Sequence, residues 1–125
     1  MEITTRSVDA VMILELNGQF ESDEGRPVVE WLEQAASTPP ARIVINLESV
    51  SFIDSIGLAA LVRNMKRCRE VEGDVHLCNL QKRVYRTFRL TRLDRAFRIF
   101  DNEADAVRAF AESSSQEDLI GADEG

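Results

Sequence analysis

Asp54 and Ser55 are the residues of this sequence whose types and position are best suited to chemistry. They stand between the apolar pair Phe52-Ile53 and a helical pattern that includes Leu58. Either side chain can cap the helix, because an oxygen at this position accepts a hydrogen bond from a free backbone N–H group. A hydroxyl at a helix N-terminus is also a favourable place for a phosphate, since the free N–H groups and the positive end of the helix dipole stabilise its charge. The sequence therefore predicts either a structural cap or a phosphorylation switch at this corner.

Residues suited to catalysis or metal binding are sparse elsewhere. His76 is the only histidine and falls in a short apolar strand, which favours a structural or surface role. Cys68 and Cys78 lack the paired spacing of a zinc site or a disulfide framework, and the sequence has no phosphate-binding glycine loop. Asp54 as a catalytic acid lacks a second carboxylate or histidine nearby in sequence, so a helix cap is the preferred interpretation. We therefore expect no enzyme activity, no catalytic residue, no metal and no cofactor.

Charge is distributed unevenly along the chain. The net charge is −7 and the sequence pI is about 4.7, but residues 63–98 carry 11 basic and 4 acidic side chains. Within this stretch four cations recur on one side of a predicted helix: Lys82, Arg83, Arg86 and Arg89. A solvated helix face and a nucleic-acid footprint both fit this pattern. The acidic total charge favours the solvated face, and we expect no direct binding of nucleic acid.

Apolar and β-branched runs predict five strands, at Glu2–Val8, Val11–Leu16, Arg42–Leu47, Val75–Asn79 and Ala96–Phe100. The first two form a hairpin, and Asn17-Gly18 is predicted to be the turn that closes the second. Ile43-Val44-Ile45 is apolar throughout, which is typical of a central strand buried on both faces. Residues 48–53 are predicted to be a loop.

Apolar residues at helical spacing predict four helices, which begin at Ser22 or Asp23, at Asp54 or Ser55, near Gln81, and at Asp101 or Asn102. Pro39-Pro40 stops the first helix, and Gly73 is predicted to be the C-terminal cap of the second. A strand, a helix and a strand in sequence form a right-handed crossover between parallel strands in nearly all sheets. The pattern therefore predicts an α/β domain with a mixed sheet.

Length and composition are those of one soluble domain. The chain has 125 residues, of which 44% are hydrophobic and 30% charged. No apolar run approaches the roughly 20 residues that span a bilayer, and residues 1–10 lack the layout of a secretion signal. We therefore expect a cytoplasmic protein that does not bind membranes. Residues 113–125 are rich in serine, glycine and acidic side chains and are expected to form a disordered, mobile tail.

The segment Phe52-Ile53-Asp54-Ser55-Ile56-Gly57-Leu58, preceded by Ile43-Val44-Ile45-Asn46-Leu47, resembles the hallmark of the STAS domain family, and within it of the bacterial anti-sigma factor antagonists. The likeness covers roughly residues 5–111, and Gly18-Gln19-Phe20-Glu21 stands where these proteins carry a similar turn before the first helix. The resemblance implies a single STAS domain over residues 1–112. Its fold is expected to be a mixed sheet of about five strands with about four helices packed largely on one side.

The resemblance also implies a mechanism of partner switching. In the family, the serine that follows the aspartate is phosphorylated by the anti-sigma factor, a serine kinase, and a serine phosphatase reverses the modification. Here that serine is Ser55. The unphosphorylated form is expected to bind the anti-sigma factor and release its sigma factor, and phosphorylation is expected to block this binding. The implied partner-binding residues are Glu21, Asp54, Ser55, Ile56 and Gly57.

Two features of the motif depart from the family pattern, and a second function stays open. Ile56 stands where many phosphorylated members have a small residue, and Glu21 replaces the usual aspartate. Other members of the family are non-switching subunits or scaffolds of larger complexes, of the lipid-transport ATPase or stressosome type. In that alternative, Asp54 and Ser55 only cap a helix that packs against the complex. The Asp-Ser-x-Gly motif favours the switch.

Overall fold

The fold is a mixed five-stranded sheet with helices on both faces, given by a computed structural model that describes residues 1–111. The elements are β1 (Glu2–Val8), β2 (Val11–Phe20), α1 (Arg26–Ala36), β3 (Arg42–Ile53), α2 (Ser55–Glu70), β4 (Asp74–Cys78), α3 (Lys82–Leu90), β5 (Arg98–Phe100) and α4 (residues 103–111). The strands lie side by side in chain order, with β1 antiparallel to β2 and all other neighbours parallel. The predicted α/β architecture and the opening hairpin are confirmed.

Strand β3 lies at the centre of the sheet and is buried on both faces. Alternate residues of a strand point to opposite faces, so Ile45 packs in a core cluster with Leu61 of α2 and Phe88 of α3, whereas Val44 packs with Phe110 of α4. Helices α1, α2 and α3 cover one face and α4 covers the other. This agrees with the prediction that the helices pack largely on one side.

Strands β2 and β3 are both longer than the sequence predicts. Residues 48–53, predicted to be a loop, continue β3 and pair with β2, and Val50 and Ile53 are buried. The turn predicted at Asn17-Gly18 is also wrong, because β2 runs through it to Phe20. Gly18 has a φ of 126°, and the pairing register shifts between Gly18 and Gln19. A glycine suits such an irregularity because it adopts a positive φ without steric cost.

Helix α1 begins later than predicted. Residues 22–25 form a 3-10 turn, and α1 starts at Arg26 with Gly25 as its N-cap, so the cap predicted at Ser22 or Asp23 is wrong. Gly25 lies close to Phe20 at this start: a Cβ atom on Gly25 would lie 2.7 Å from Cε1 of Phe20. The last helix has the predicted kind of cap, since Asn102 Oδ1 accepts a hydrogen bond from the backbone N–H of Asp105 at 2.8 Å.

Gly73 has a different role at the end of α2 from the predicted one. Helix α2 ends at Glu70, and Glu72 rather than Gly73 has the positive φ, at 63°. Gly73 is needed because a Cβ atom there would lie 1.9 Å from the carbonyl oxygen of Ala41. Its backbone N–H donates to the carbonyl oxygen of Cys68 at 2.8 Å and so closes the helix end. The predicted tail, residues 113–125, lies outside the described residues.

Candidate functional site

The candidate site lies where β2 and β3 end side by side. Phe20 pairs with Ile53 in the parallel ladder, and the backbone N–H of Asp54 donates to the carbonyl oxygen of Phe20 at 3.1 Å. Glu21 directly follows Phe20, so Glu21 and Asp54 leave neighbouring strands at the same edge of the sheet. Strand pairing therefore brings together two acidic residues that are far apart in the sequence.

Asp54 is the N-cap of α2. Its backbone is extended, with φ −91° and ψ 178°, and its Oδ1 accepts a hydrogen bond from the backbone N–H of Gly57 at 2.8 Å. Its carbonyl oxygen accepts the first helical hydrogen bond, from the N–H of Leu58 at 3.0 Å. Ser55 and Ile56 are therefore the first two helical residues. Their backbone N–H groups have no hydrogen-bond partner within the helix. Of the two predicted caps, the structure uses Asp54.

Phe20 fixes the position of this helix start. Its side chain is 1% exposed. A Cβ atom on Gly57 would lie 2.7 Å from Phe20 Cδ1 and 2.9 Å from the Phe20 carbonyl oxygen, and Gly25 approaches the same ring equally closely. Both glycines approach the Cδ1–Cε1 side of the ring, and their lack of a side chain allows α2 and the 3-10 turn to come close to it. In the sequence, Phe20 is only part of the turn motif before the first helix and Gly25 carries no signal, because only the fold brings the two together at the site.

The exposed part of the site is a mixed polar and apolar patch. Ser55 is exposed, Ile56 is 60% exposed, and Glu21 and Asp54 are half-buried. Gly57, predicted to bind the partner, is buried and supports the patch from below. Phe52, two residues before Asp54 in the sequence, is also 40% exposed. We call Glu21, Asp54, Ser55 and Ile56 the Ser55 surface.

Nucleophilic and titratable groups outside this surface include three that are buried in the core. Burial raises the pKa of the Cys68 thiol to about 11 and that of the Cys78 thiol to about 12, so both stay protonated at neutral pH. His76 stacks on Phe110 at a ring-centroid distance of 3.8 Å, and burial lowers its pKa. These groups supply neither an exposed nucleophile nor an exposed base.

Residues 1–111 contain neither a candidate membrane-spanning helix nor a three-ligand cluster for a metal ion. No helix in that range combines the length and the apolar character that a membrane span needs. In the same range no three histidine, cysteine, aspartate or glutamate side chains are grouped so as to hold a metal ion. On α3, Lys82, Arg83, Arg86 and Arg89 are exposed while Val84 and Phe88 are buried, as their spacing predicts.

Comparison with known proteins relates the chain and its fold to a known family. The profile of the STAS domain family matches residues 2–106. The anti-sigma F factor antagonist of Paenibacillus polymyxa is 26% identical over 98 residues, which are 78% of this chain and 84% of that protein. The crystal structure of tm1081 from Thermotoga maritima superposes with a TM-score of 0.80 at 26% identity, covering 86% of this chain and 92% of that chain. The anti-sigma factor antagonist SpoIIAA in its unphosphorylated form shares the fold, with a TM-score of 0.73 at 19% identity over 88% of this chain and 97% of that chain.

Proposed function

This chain belongs to the STAS domain family, and we propose that it acts in the cytoplasm as an anti-sigma factor antagonist that works by partner switching. The unphosphorylated protein binds an anti-sigma factor, which is itself a serine kinase, and so releases a sigma factor. Phosphorylation of Ser55 blocks this binding, and a serine phosphatase restores it. The protein is then a binding module rather than an enzyme, and the Ser55 surface is its interface.

The observation that carries the proposal is the exposure of Ser55 at the first position of α2. A kinase needs an accessible hydroxyl, and Ser55 is exposed whereas the neighbouring Gly57 is buried. Asp54 already satisfies the Gly57 N–H, so capping of the helix does not require the Ser55 hydroxyl. The hydroxyl is therefore available for modification.

The position of Ser55 also favours a modification that changes binding rather than folding. A phosphate adds about −1.5 to −2 charges, and a helix N-terminus stabilises negative charge. In an interface the same phosphate would have to be desolvated beside the Asp54 carboxylate, which is unfavourable. The phosphorylated protein should therefore stay folded and lose its partner.

Intact-mass analysis tests the site of modification. The wild-type protein incubated with ATP and an extract of its native cell should gain one phosphate, and Ser55→Ala should gain none. Ser49→Ala is the matched control, because Ser49 is exposed on β3 but lies away from the helix start, and it should be modified like the wild type. Stoichiometric phosphorylation of Ser55→Ala would refute the assignment.

Affinity capture from the same extract tests the switch. Ser55→Ala should retain an anti-sigma factor that Ser55→Asp does not retain, while both variants give the same circular dichroism spectrum. Equal capture of one large complex by both variants would instead support a non-switching subunit, in which Asp54 and Ser55 serve only the helix start.

A further inference from the structure

A groove beside α2 has an apolar floor and a cationic rim. We call it the α2 groove. Its floor is formed by Leu58 and Val62 of α2 and by Leu93, which lies in the short 3-10 turn Leu93–Arg95, and its volume is about 560 Å³. Arg69 holds this turn region against the helix by donating from Nη2 to the carbonyl oxygen of Ala96 at 2.7 Å. The groove therefore lies between two segments that this hydrogen bond holds together.

The rim of the α2 groove carries an excess of positive charge. Arg63, Lys66 and Arg67 line it together with a single acidic residue, Glu70. All three cations are exposed, and over residues 1–111 none of them forms an ion pair or a side-chain hydrogen bond. Unpaired cations around an apolar floor favour an occupant that is acidic and carries large apolar side chains.

The α2 groove is continuous with the Ser55 surface along one helix face. Ser55, Ala59, Val62 and Lys66 follow one another at spacings of three or four residues, so they lie on the same face of α2. At a rise of 1.5 Å per residue, the distance from Ser55 to Lys66 is about 16 Å. A single extended or helical segment of a bound protein can therefore reach from the groove to Ser55.

We propose that the α2 groove binds an acidic segment of the partner protein, one whose large apolar side chains fill the floor above Leu58, Val62 and Leu93. The identity of that partner as the anti-sigma factor rests on the function proposed above, whereas the acidic and apolar chemistry of the segment rests on the groove itself. The segment adds affinity and orientation to a contact that is centred on Ser55.

Salt screens the cations of the α2 groove from the charge of a phosphate on Ser55. The Debye length is about 8 Å at physiological salt, and along the helix Ser55 is about 12 Å from Arg63 and about 16 Å from Lys66, so the charge of a phosphate on Ser55 is largely screened from the cations of the rim. Phosphorylation acts instead on the part of the partner that lies beside Ser55. A short segment that occupies only the groove should therefore bind the phosphorylated and unphosphorylated forms equally well.

Fluorescence anisotropy with a designed peptide tests the groove in the full chain. The probe is a short labelled peptide with leucines four residues apart and glutamates between them. The probe should bind the wild type with an affinity that falls as salt is added. Its affinity for the triple variant Arg63→Glu, Lys66→Glu, Arg67→Glu should be lower by on the order of tenfold. The matched control is Arg83→Glu, Arg86→Glu, Arg89→Glu, which reverses three cations on α3 and should bind the probe nearly as the wild type does.

The two proposals fail in different ways. Absence of probe binding to the wild type, or equal loss in both triple variants, overturns the groove proposal, as does equally tight binding of a probe with lysines in place of the glutamates. If the affinity for the probe rises tenfold when the acidic residues 117, 118, 123 and 124 of this chain are neutralised, the groove binds that segment instead. If the chain self-associates and the rim variant abolishes this, the groove binds a second copy of the chain. If Ser55→Asp binds the probe and captures the partner as the wild type does, only the proposed switch is refuted.

Discussion

Replacing Gly57 with alanine tests the packing that supports the start of α2. By helix propensity alone, alanine at a helical position should stabilise the protein by about 1 kcal/mol relative to glycine. The structure predicts the opposite sign, because the added Cβ would lie 2.7 Å from Phe20 Cδ1 and 2.9 Å from the Phe20 carbonyl oxygen. Neither neighbour can give way easily: one is backbone, and the other is a buried ring that Gly25 also approaches closely.

The size of the effect follows from two opposing contributions. Overpacking of a well-packed site costs about 1 to 3 kcal/mol, and the gain in helix propensity returns about 1 kcal/mol. The net expectation for Gly57→Ala is a loss of about 1 kcal/mol in the free energy of unfolding. For a domain of this size that corresponds to a fall in Tm of about 3 to 6 °C.

Urea melts and thermal melts measure this change directly. Ala59→Gly is the matched control, since Ala59 is an exposed residue of the same helix and its replacement should cost about 1 kcal/mol through propensity alone. Phe20→Leu, which removes the crowding ring, should reduce the penalty of Gly57→Ala in a double-mutant cycle. A Gly57→Ala variant that melts above the wild type would show that the close approach to Phe20 carries no strain, and the reasoning would be refuted.

The helix cap, the buried histidine and the basic face of α3 give three further expectations. Asp54→Ala removes the acceptor of the Gly57 N–H and should lower the free energy of unfolding by about 1 kcal/mol in urea melts, whereas Asp54→Asn keeps an acceptor and should cost much less; equal losses would contradict the cap. Burial lowers the pKa of His76, so its contribution to stability is complete above the ordinary value of 6.5 and is lost as the pH falls below it. The stability advantage of the wild type over His76→Gln should therefore shrink in acid, and a difference independent of pH speaks against this. Duplex DNA and single-stranded RNA should not bind in fluorescence anisotropy at about 50 mM salt, and micromolar binding lost in Arg83→Ala, Arg86→Ala, Arg89→Ala would move the protein to the nucleic-acid binders.

The features that the sequence predicted correctly are those encoded by near neighbours. Ile43-Val44-Ile45 indicated a strand buried on both faces, and both of its faces are covered by helices. Asp54 preceding a helical pattern indicated an N-cap, and its carboxylate accepts the expected hydrogen bond. In each case the hydrophobic pattern or the capping preference acts over a few residues, so one sequence is enough to reveal it.

The features that the sequence did not predict depend on contacts between distant segments. Residues 48–53 contain three polar residues and resemble a loop, but pairing with the extended β2 holds them in a strand. Gly73 resembled a helix cap, yet its role is set by the carbonyl oxygen of Ala41. The α2 groove needs Leu93 beside Val62, and no local pattern joins those two residues.

The proposed switch requires an exposed, modifiable side chain on a well-anchored backbone, and the Ser55 surface combines the two. The Ser55 side chain is exposed, so adding a phosphate displaces no core residue. The backbone beneath it is fixed by the Asp54 cap, by the hydrogen bond from the Asp54 N–H to Phe20, and by the close fit of Gly57 on the Phe20 ring. In the proposed switch, these contacts hold the helix start in place, so the energetic effect of the phosphate falls on the partner docked against the surface. The proposed control of a partner by one hydroxyl therefore relies on the same close packing that should make Gly57→Ala costly.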